Sequence, residues 1–331
     1  MFSHPQYNTW IELIYDQNQR DILKYARGIK AQGYPPGVLM IDDNWQENYG
    51  NWTFSARRFP DPKAMMRELH ELGFKVMMWV CPFVSPDSEI FRDLEKRELV
   101  LMDAPAANGE KRAAIIRWWN GASACLDLTH PEARAWFRAR LDELVRDYGV
   151  DGFKLDAGDA EFYTGNFRSH APASPNDHTE MFGRVGLDFP LNEYRASWKN
   201  AGRPLAQRLR DKSHTWSDLH TLIPGIIAQG LMGYAFTCPD LIGGGSFASF
   251  LPGAKIDEEL IVRSAQVHAL MPMMQFSVAP WRILSPANNA ICLRAAELHR
   301  QHADTILQLA RESARTGEPI VRPLCWRWPG A

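Results

Sequence analysis

The sequence predicts a (β/α)8 TIM barrel, an α/β fold, on three observations. Short β-rich apolar runs alternate with amphipathic helical stretches, eight such runs can be placed, and no break in composition divides the 331 residues. A doubly wound open sheet is the competing fold; it is weakened because no Gly-rich phosphate loop follows the first strand. The first strand is expected at Ile11–Tyr15. A helix over Asp21–Gln32 follows, with Ile22, Leu23, Ala26 and Ile29 at helical spacing before Gly33 and the Pro35-Pro36 break. Val38–Ile41 is the second strand, Pro62–Leu72 a helix opened by Asp61, and Val76–Val80 the third strand after Gly73. The long helix Pro131–Tyr148 leads into a fourth strand at Phe153–Leu155. Later strands are expected at Arg195–Trp198, Leu205–Leu209, Ala235–Cys238 and Ile320–Cys325, with helices around Leu219–Gly230, Glu258–Leu270 and Ala290–Thr316. Two stretches, Pro82–Ser123 and Thr164–Pro190, are too long for ordinary connections and read as irregular functional loops over a site.

Composition narrows the function. Lys plus Arg number 37 against 39 Asp plus Glu, and neither sign forms a block, so a nucleic-acid partner or an anionic membrane is not expected. No run of about 18 apolar residues occurs, and Met1–Gln6 lacks a basic segment leading into an apolar one. A cytoplasmic location is the default expectation, and a homo-oligomer is compatible with it. Cys81, Cys125, Cys238, Cys292 and Cys325 are odd in number, widely spaced and without a CxxC pair, which favours free thiols over disulfides or a metal site. Twelve tryptophans, several beside carboxylates or arginines, suit a sugar-binding site, the alternative being simple burial in a large core.

In a barrel, the C-terminal strand ends face the site. Here the second run ends in Asp42-Asp43, the fourth in Lys154-Leu155-Asp156 with Asp159 beyond, the sixth in Asp211 and the seventh in Asp240. A lone strand-end Asp is usually a turn or capping residue, but several on one rim would repel unless bases, substrate or metal use them. Lys154 and Asp156 are two apart on a strand and share a face, so the cation keeps Asp156 ionised. That suits a nucleophilic carboxylate; the alternative is a buried pair that only closes the barrel interior. Histidines lie away from these ends except His214, so neither metal nor cofactor is expected.

Phe153-Lys154-Leu155-Asp156-Ala157-Gly158 resembles the nucleophile strand of glycoside hydrolase family 31, and the resemblance runs along nearly the whole chain. It also rests on Ile41-Asp42-Asp43, on Arg117-Trp118-Trp119-Asn120-Gly121 followed by Leu126-Asp127-Leu128-Thr129-His130-Pro131, and on Leu222-Ile223-Pro224 followed by Pro239-Asp240-Leu241-Ile242-Gly243-Gly244. An α-galactosidase-like branch is the nearest in pattern. The resemblance implies Asp156 as nucleophile and Asp211 as general acid/base. Arg195 would bind sugar, as would Asp42, with Asp43 in reserve, and Asp240 would hold hydroxyls. Trp119 and Trp79 would wall the sugar, although Trp79 suits the core equally, and Trp118 would serve packing. Arg210 and Lys212 flank Asp211 and would oppose its protonation unless they point away.

The sequence departs from the family at Cys81, where many α-glucosidase members have Asp and the galactosidase-like branch has His. Arg208-Leu209-Arg210-Asp211 stands in place of Trp-x-Gly-Asp, and Asp159 in place of a common glutamate. Residues 1–331 are expected to be one catalytic barrel without the family's flanking β-domains, a fragment of a longer parent or an incomplete product. The expected activity is retaining hydrolysis of terminal α-linked sugars, α-galactosides first, on an oligosaccharide or glycoside substrate. The alternatives are an α-glucosidase, α-xylosidase or transglycosidase of the same family, or an inactive carbohydrate-binding barrel.

Overall fold

In the computed structural model, which describes residues 1–104 and 109–330, one parallel sheet is built from β1 (Gln6–Asn8), β2 (Val38–Ile41), β3 (Lys75–Val80), β4 (Gly152–Leu155), β5 (Leu191–Tyr194), β6 (Gln207–Arg208), β7 (Thr237–Cys238) and β8 (Gln275–Phe276). Their spatial order is β7-β6-β5-β4-β3-β2-β1-β8. Chain neighbours are therefore space neighbours, and β1 also lies against β8, as barrel closure requires. The remaining seam is bridged where Ile242 N–H donates to the Gln275 carbonyl at 2.8 Å.

Helices cover the outside: α1 (Gln19–Ala31), α2 (Pro62–Glu71), α3 (Pro131–Tyr148), α4 (Pro175–Val185), α5 (Leu222–Leu231), α6 (Glu258–His268) and α7 (Pro286–Gln301). Their starts are chemically specified. Asn18 and Asp61 accept backbone N–H groups of Asp21 and Ala64, Ser174 and Asp177 form a capping box, and α3 ends on Gly149 in the left-handed region (φ 72°). The inner face of α1 buries Ile22, Ala26 and Ile29 completely, each isoleucine contributing roughly 1.5–3 kcal/mol.

The outward face of the strands packs on these helices. Phe153 and Leu155 join that layer, with Phe153 against Phe189 at 4.7 Å between ring centroids, so Lys154 and Asp156 share the inward face as expected. The barrel interior is layered. Val38, Met40 and Met77 form a small apolar cluster. In a polar layer, Gln275 Nε2 donates to Gln6 Oε1 (2.7 Å) and Glu193 Oε2 (2.8 Å), and the charged strand ends lie towards the site.

Several expected elements differ. Ile11–Tyr15 is not a strand; Trp10–Leu13 is a short helix and the first strand lies earlier, at Gln6–Asn8. The fifth strand lies four residues before Arg195–Trp198. The expected strand Ile320–Cys325 is absent, residues 320–323 being irregular and a helical turn running over Leu324–Arg327, and Gln275–Phe276 closes the barrel instead. The strands overlooked carry Gln6, Asn8, Glu193 and Gln275, buried but polar, so apolar runs could not reveal them. Ala290–Thr316 is two helices, α7 and Ala303–Thr316, meeting at His302. The stretch 82–123, of which 105–108 lie outside the described residues, is not irregular. It holds the helix Glu89–Lys96 and a hairpin of Ile116–Trp118 with Gly121–Cys125. The stretch 164–190 likewise carries α4, and its Phe167–Arg168 pairs with Met102–Asp103 of the first. Among the described residues no helix is long and apolar enough to cross a membrane.

Candidate active site

The C-terminal strand ends enclose a cavity of about 450 Å³ lined by Asp42, Asp43, Trp79, Trp119, Lys154, Asp156, Arg195 and Asp211 among others. The rule that strand ends carry the site thus collects residues from β2, β3, β4 and the loops after β3, β5 and β6.

Asp156 follows β4 directly. Its Oδ2 accepts the Trp79 indole N–H at 2.9 Å, while its Oδ1 is buried without a hydrogen-bond donor. Around Oδ1 stand Arg195 Nε at 3.4 Å and an Arg208 nitrogen at 4.0 Å. Burial alone would raise this carboxyl, but Lys154, Arg195 and Arg208 together with the Trp79 bond outweigh it and hold Asp156 well below the usual carboxylate range. Ala157, next in the chain, has φ 61°, a left-handed conformation for a residue with a Cβ, so the backbone is strained beside the reactive group. Gly158 follows with φ 75°, and a Cβ there would come within 2.3 Å of the Phe182 ring.

Lys154 is buried and gives its charge to Asp42, Nζ to Oδ2 at 2.7 Å. Burial would lower the ammonium, yet Asp42 and Asp156 overcome that and keep it charged. Asp43 is buried beside Asp42; burial first and the neighbouring carboxylate second push it up to about 7, against hydrogen bonds from Gln46 and Tyr49.

Arg208, on β6, is the central cation, and the sequence reading did not single it out. Its Nη1 lies 2.6 Å from Asp211 Oδ1 and 2.9 Å from Asp240 Oδ1, and its Nε is 3.5 Å from Glu193 Oε1. Of the expected opponents of Asp211, Lys212 turns its Nζ back to the Arg210 carbonyl at 2.8 Å, and Arg210 is exposed. β6 ends at Arg208, so strand alternation does not extend to Arg210.

Asp240 is fully buried and, unlike the other acidic strand ends, does not line the cavity. Arg208 and the backbone N–H groups of Lys212 (2.7 Å) and Gly245 (3.1 Å) occupy its oxygens. Burial pushes it up to about 7 with Asp211 adding to this and Arg208 opposing it. Its φ is 94°, and a Cβ on Gly245 would stand 2.8 Å from its Oδ1, so the glycine is required for this close approach. Asp240 thus fixes Arg208 from beneath.

Arg195 is half-buried, bonded to Asp159 at 2.8 Å and stacked 4.6 Å from the centre of the Trp119 ring. Trp119 is 44% exposed on the rim, whereas Trp79 is 1% exposed and acts both as core and as cavity wall. Trp118 packs inside, 4.3 Å from the Phe83 ring. The opposite wall comes from Trp10, Tyr15 and Phe247, packed edge to face at 5.3–6.1 Å. Placing the first strand at Ile11–Tyr15 hid Trp10, which in fact follows β1.

A family model described as the glycosyl hydrolases family 31 TIM-barrel domain matches residues 5–298. The chain is 35% identical to the myogenesis-regulating glycosidase of Mus musculus over 99% of this chain and 47% of that protein. To the SITS-binding protein of Tetronarce californica it is 29% identical, over 80% of this chain and 38% of that one. It thus spans less than half the length of these relatives. Among solved structures, a Flavobacterium johnsoniae family 31 dextranase complexed with glucose superposes with a TM-score of 0.85 at 19% identity, over 100% of this chain and 43% of that chain. A family 31 α-xylosidase from a soil metagenome, complexed with xylose, gives 0.82 at 20% identity, over 100% and 53%.

Proposed function

The chain belongs to glycosyl hydrolase family 31, and on that premise we propose that residues 1–331 act as one catalytic barrel of a retaining α-glycosidase, hydrolysing terminal α-linked sugars with α-galactosides first among them. The observation that carries this reading is Asp156: a carboxylate held ionised by three cations, anchored through Oδ2 and bearing an Oδ1 without a hydrogen-bond donor at the cavity wall. Asp211 faces the same guanidinium from the next acidic strand end.

In the first step Asp156 Oδ1 attacks the anomeric carbon while Asp211 gives its proton to the departing oxygen, through an oxocarbenium-like transition state. In the second, Asp211 takes a proton from water, the water oxygen bonds to the anomeric carbon, and Asp156 leaves, so configuration is retained. To carry a proton Asp211 must part from Arg208, which still has Asp240, Glu193 and Asp156 within 4.0 Å to receive its charge. Asp42 and Lys154 would bind hydroxyls, Arg195 would hold the sugar beside Asp156, and Trp79 and Trp119 would exclude water. The galacto preference rests on the likeness of Arg208-Leu209-Arg210-Asp211 to that branch, while Cys81, which matches neither the Asp of many α-glucosidases nor the His of that branch, counts only against gluco- preference.

Sugar binding without turnover is a second reading, favoured by the 2.6 Å ion pair between Asp211 and Arg208. A galacto-configured cyclophellitol-type label followed by peptide mapping separates the two. Modification of Asp156 is the expected outcome; a folded protein that binds galactose and takes no label supports the second reading.

A further inference from the structure

Residues 239–257, between β7 and α6, form a connection longer than most, and they run beside the loop that carries Asp211. Leu241, Gly245, Ser246 and Phe247 of this connection line the cavity together with Asp211 and Ser213. Farther on, residues 251–255 are exposed.

His214 joins the two loops through both of its ring nitrogens. Nδ1 lies 2.9 Å from the Gly243 carbonyl oxygen, and Nε2 lies 2.9 Å from the Asp257 backbone nitrogen. A carbonyl only accepts and a backbone N–H only donates, so Nδ1 carries the hydrogen and Nε2 is the acceptor. The ring is therefore neutral, with its tautomer set by these two bonds. One imidazole thus closes the stretch 243–257 at both ends, with the Phe250 ring centroid 5.3 Å from its own. Further bonds follow the same line: the His214 N–H donates to Ser249 Oγ (3.2 Å), the Ser246 N–H to the Lys212 carbonyl (3.0 Å), and the Trp216 indole N–H to Asp257 Oδ2 (2.9 Å). The segment 212–216 is itself anchored, because the Lys212 N–H donates to buried Asp240 and the Ser213 N–H to Asp218 Oδ2 at 2.6 Å.

The departing oxygen lies on the Asp211 side of the cavity, so the group it carries leaves past the wall to which Ser246 and Phe247 belong. His214 does not line the cavity and can act only through these neighbours.

We propose that His214 is a positioning residue: by bridging Gly243 and Asp257 it holds the connection after β7 against the loop bearing Asp211, and so keeps the proton donor and the Phe247 wall in register on the leaving-group side. This rests on the assignment of Asp211 given above.

Three variants separate the two bonds. His214→Asn can place an amide nitrogen near Nδ1 and keep the Gly243 bond, His214→Gln can place an amide oxygen near Nε2 and keep the Asp257 bond, and His214→Ala keeps neither. Limited proteolysis of the folded proteins, with cleavage sites mapped by mass spectrometry, reads the clamp without reference to activity. Cleavage within residues 247–255 should be about tenfold faster or more in the alanine variant, and slower than that in the two amide variants. In kinetics, His214→Ala should lower kcat/KM about ten- to a hundredfold on α-galactosyl-glucose disaccharides. On an aryl α-galactoside with a good leaving group, which needs little help from a proton, the loss should stay below about threefold. The amide variants should recover part of the disaccharide activity, and they carry the test against wild type if His214→Ala does not fold. Unchanged proteolysis, cleavage spread over the whole chain, or equal losses on the two kinds of substrate overturns the proposal while leaving hydrolysis standing. If the wild type turns over neither substrate, the hydrolytic reading falls and calorimetry compares the binding of disaccharide and of galactose. Weaker binding of the disaccharide alone then keeps His214 as the residue that positions the Phe247 wall. Equal weakening, or no change, sinks both.

Discussion

Two buried cations, Lys154 on β4 and Arg208 on β6, organise opposite sides of the same interior in different ways. Lys154 is a point charge with one close partner, Asp42 at 2.7 Å. Arg208 spreads its planar fork over Asp211, Asp240, Glu193 and Asp156 at 2.6 to 4.0 Å. The first is a fixed pair that shapes a binding wall. The second can lose one partner and keep the others, which is what a site needs if one of those partners, Asp211, must release and regain its ion pair during each turnover. Both corners carry a non-glycine residue at positive φ, Asn44 after β2 at 74° and Asp240 beneath Arg208 at 94°.

The largest effect expected falls on the group both cations serve. Asp156→Ala should lower turnover of an aryl α-galactoside by at least about a thousandfold, as removal of a covalent nucleophile does. Steady-state kinetics on folded variant checks it, and activity within tenfold of wild type removes Asp156 from the mechanism. Asp211→Ala should lose far less on an aryl glycoside with a good leaving group than on a disaccharide, because only the poor leaving group needs its proton. Equal losses would break the acid assignment.

The comparison of cations is tested most directly by stability. Arg208→Met leaves several buried carboxylates uncompensated and should cost about 3–5 kcal/mol in denaturant unfolding. Lys154→Met should cost less, since one pair is broken rather than a hub. Equal costs would show that the distributed arrangement carries no extra weight.

A smaller effect concerns pH. Asp43 stands near 7 in the fold against an ordinary 3.8, so between these values the folded chain keeps a proton that the unfolded chain has lost. Its contribution therefore falls as pH rises through that window, by at most about 1.4 kcal/mol per pH unit. Asp43→Asn removes this slope, so the variant should gain stability relative to wild type from pH 5 to pH 8; urea midpoints at the two pH values read the sign. The least expected change is from Trp119→Ala. It deprives Arg195 of its stacking partner, about 0.5–1 kcal/mol at a site this exposed, and should show chiefly as a raised KM.

The barrel was legible from alternating apolar runs and helix caps: β2, β3 and β4 lie where the apolar pattern puts them, and α3 spans Pro131–Tyr148 as expected. The acidic strand ends pointed to the rim, and the Lys154–Asp156 spacing correctly placed both side chains inward. What sequence periodicity could not find were the strands whose inward residues are polar. Gln275 donates to both Gln6 and Glu193 across the barrel, and each of the three looks like a loop residue until its partner is known. Arg208 stood in an expected strand, Leu205–Leu209, but its partners Asp156, Glu193 and Asp240 are distant in sequence. Local chemistry along the chain determined which segments could be strands and helices and which carboxylates stood at strand ends. Only the closed barrel decided which of those charges share a guanidinium, that Asp240 lies below the cavity, and that Asn120 reaches Asp43, because apart from Arg208–Asp211 these bonds join residues far apart in sequence and exist only once the chain is packed.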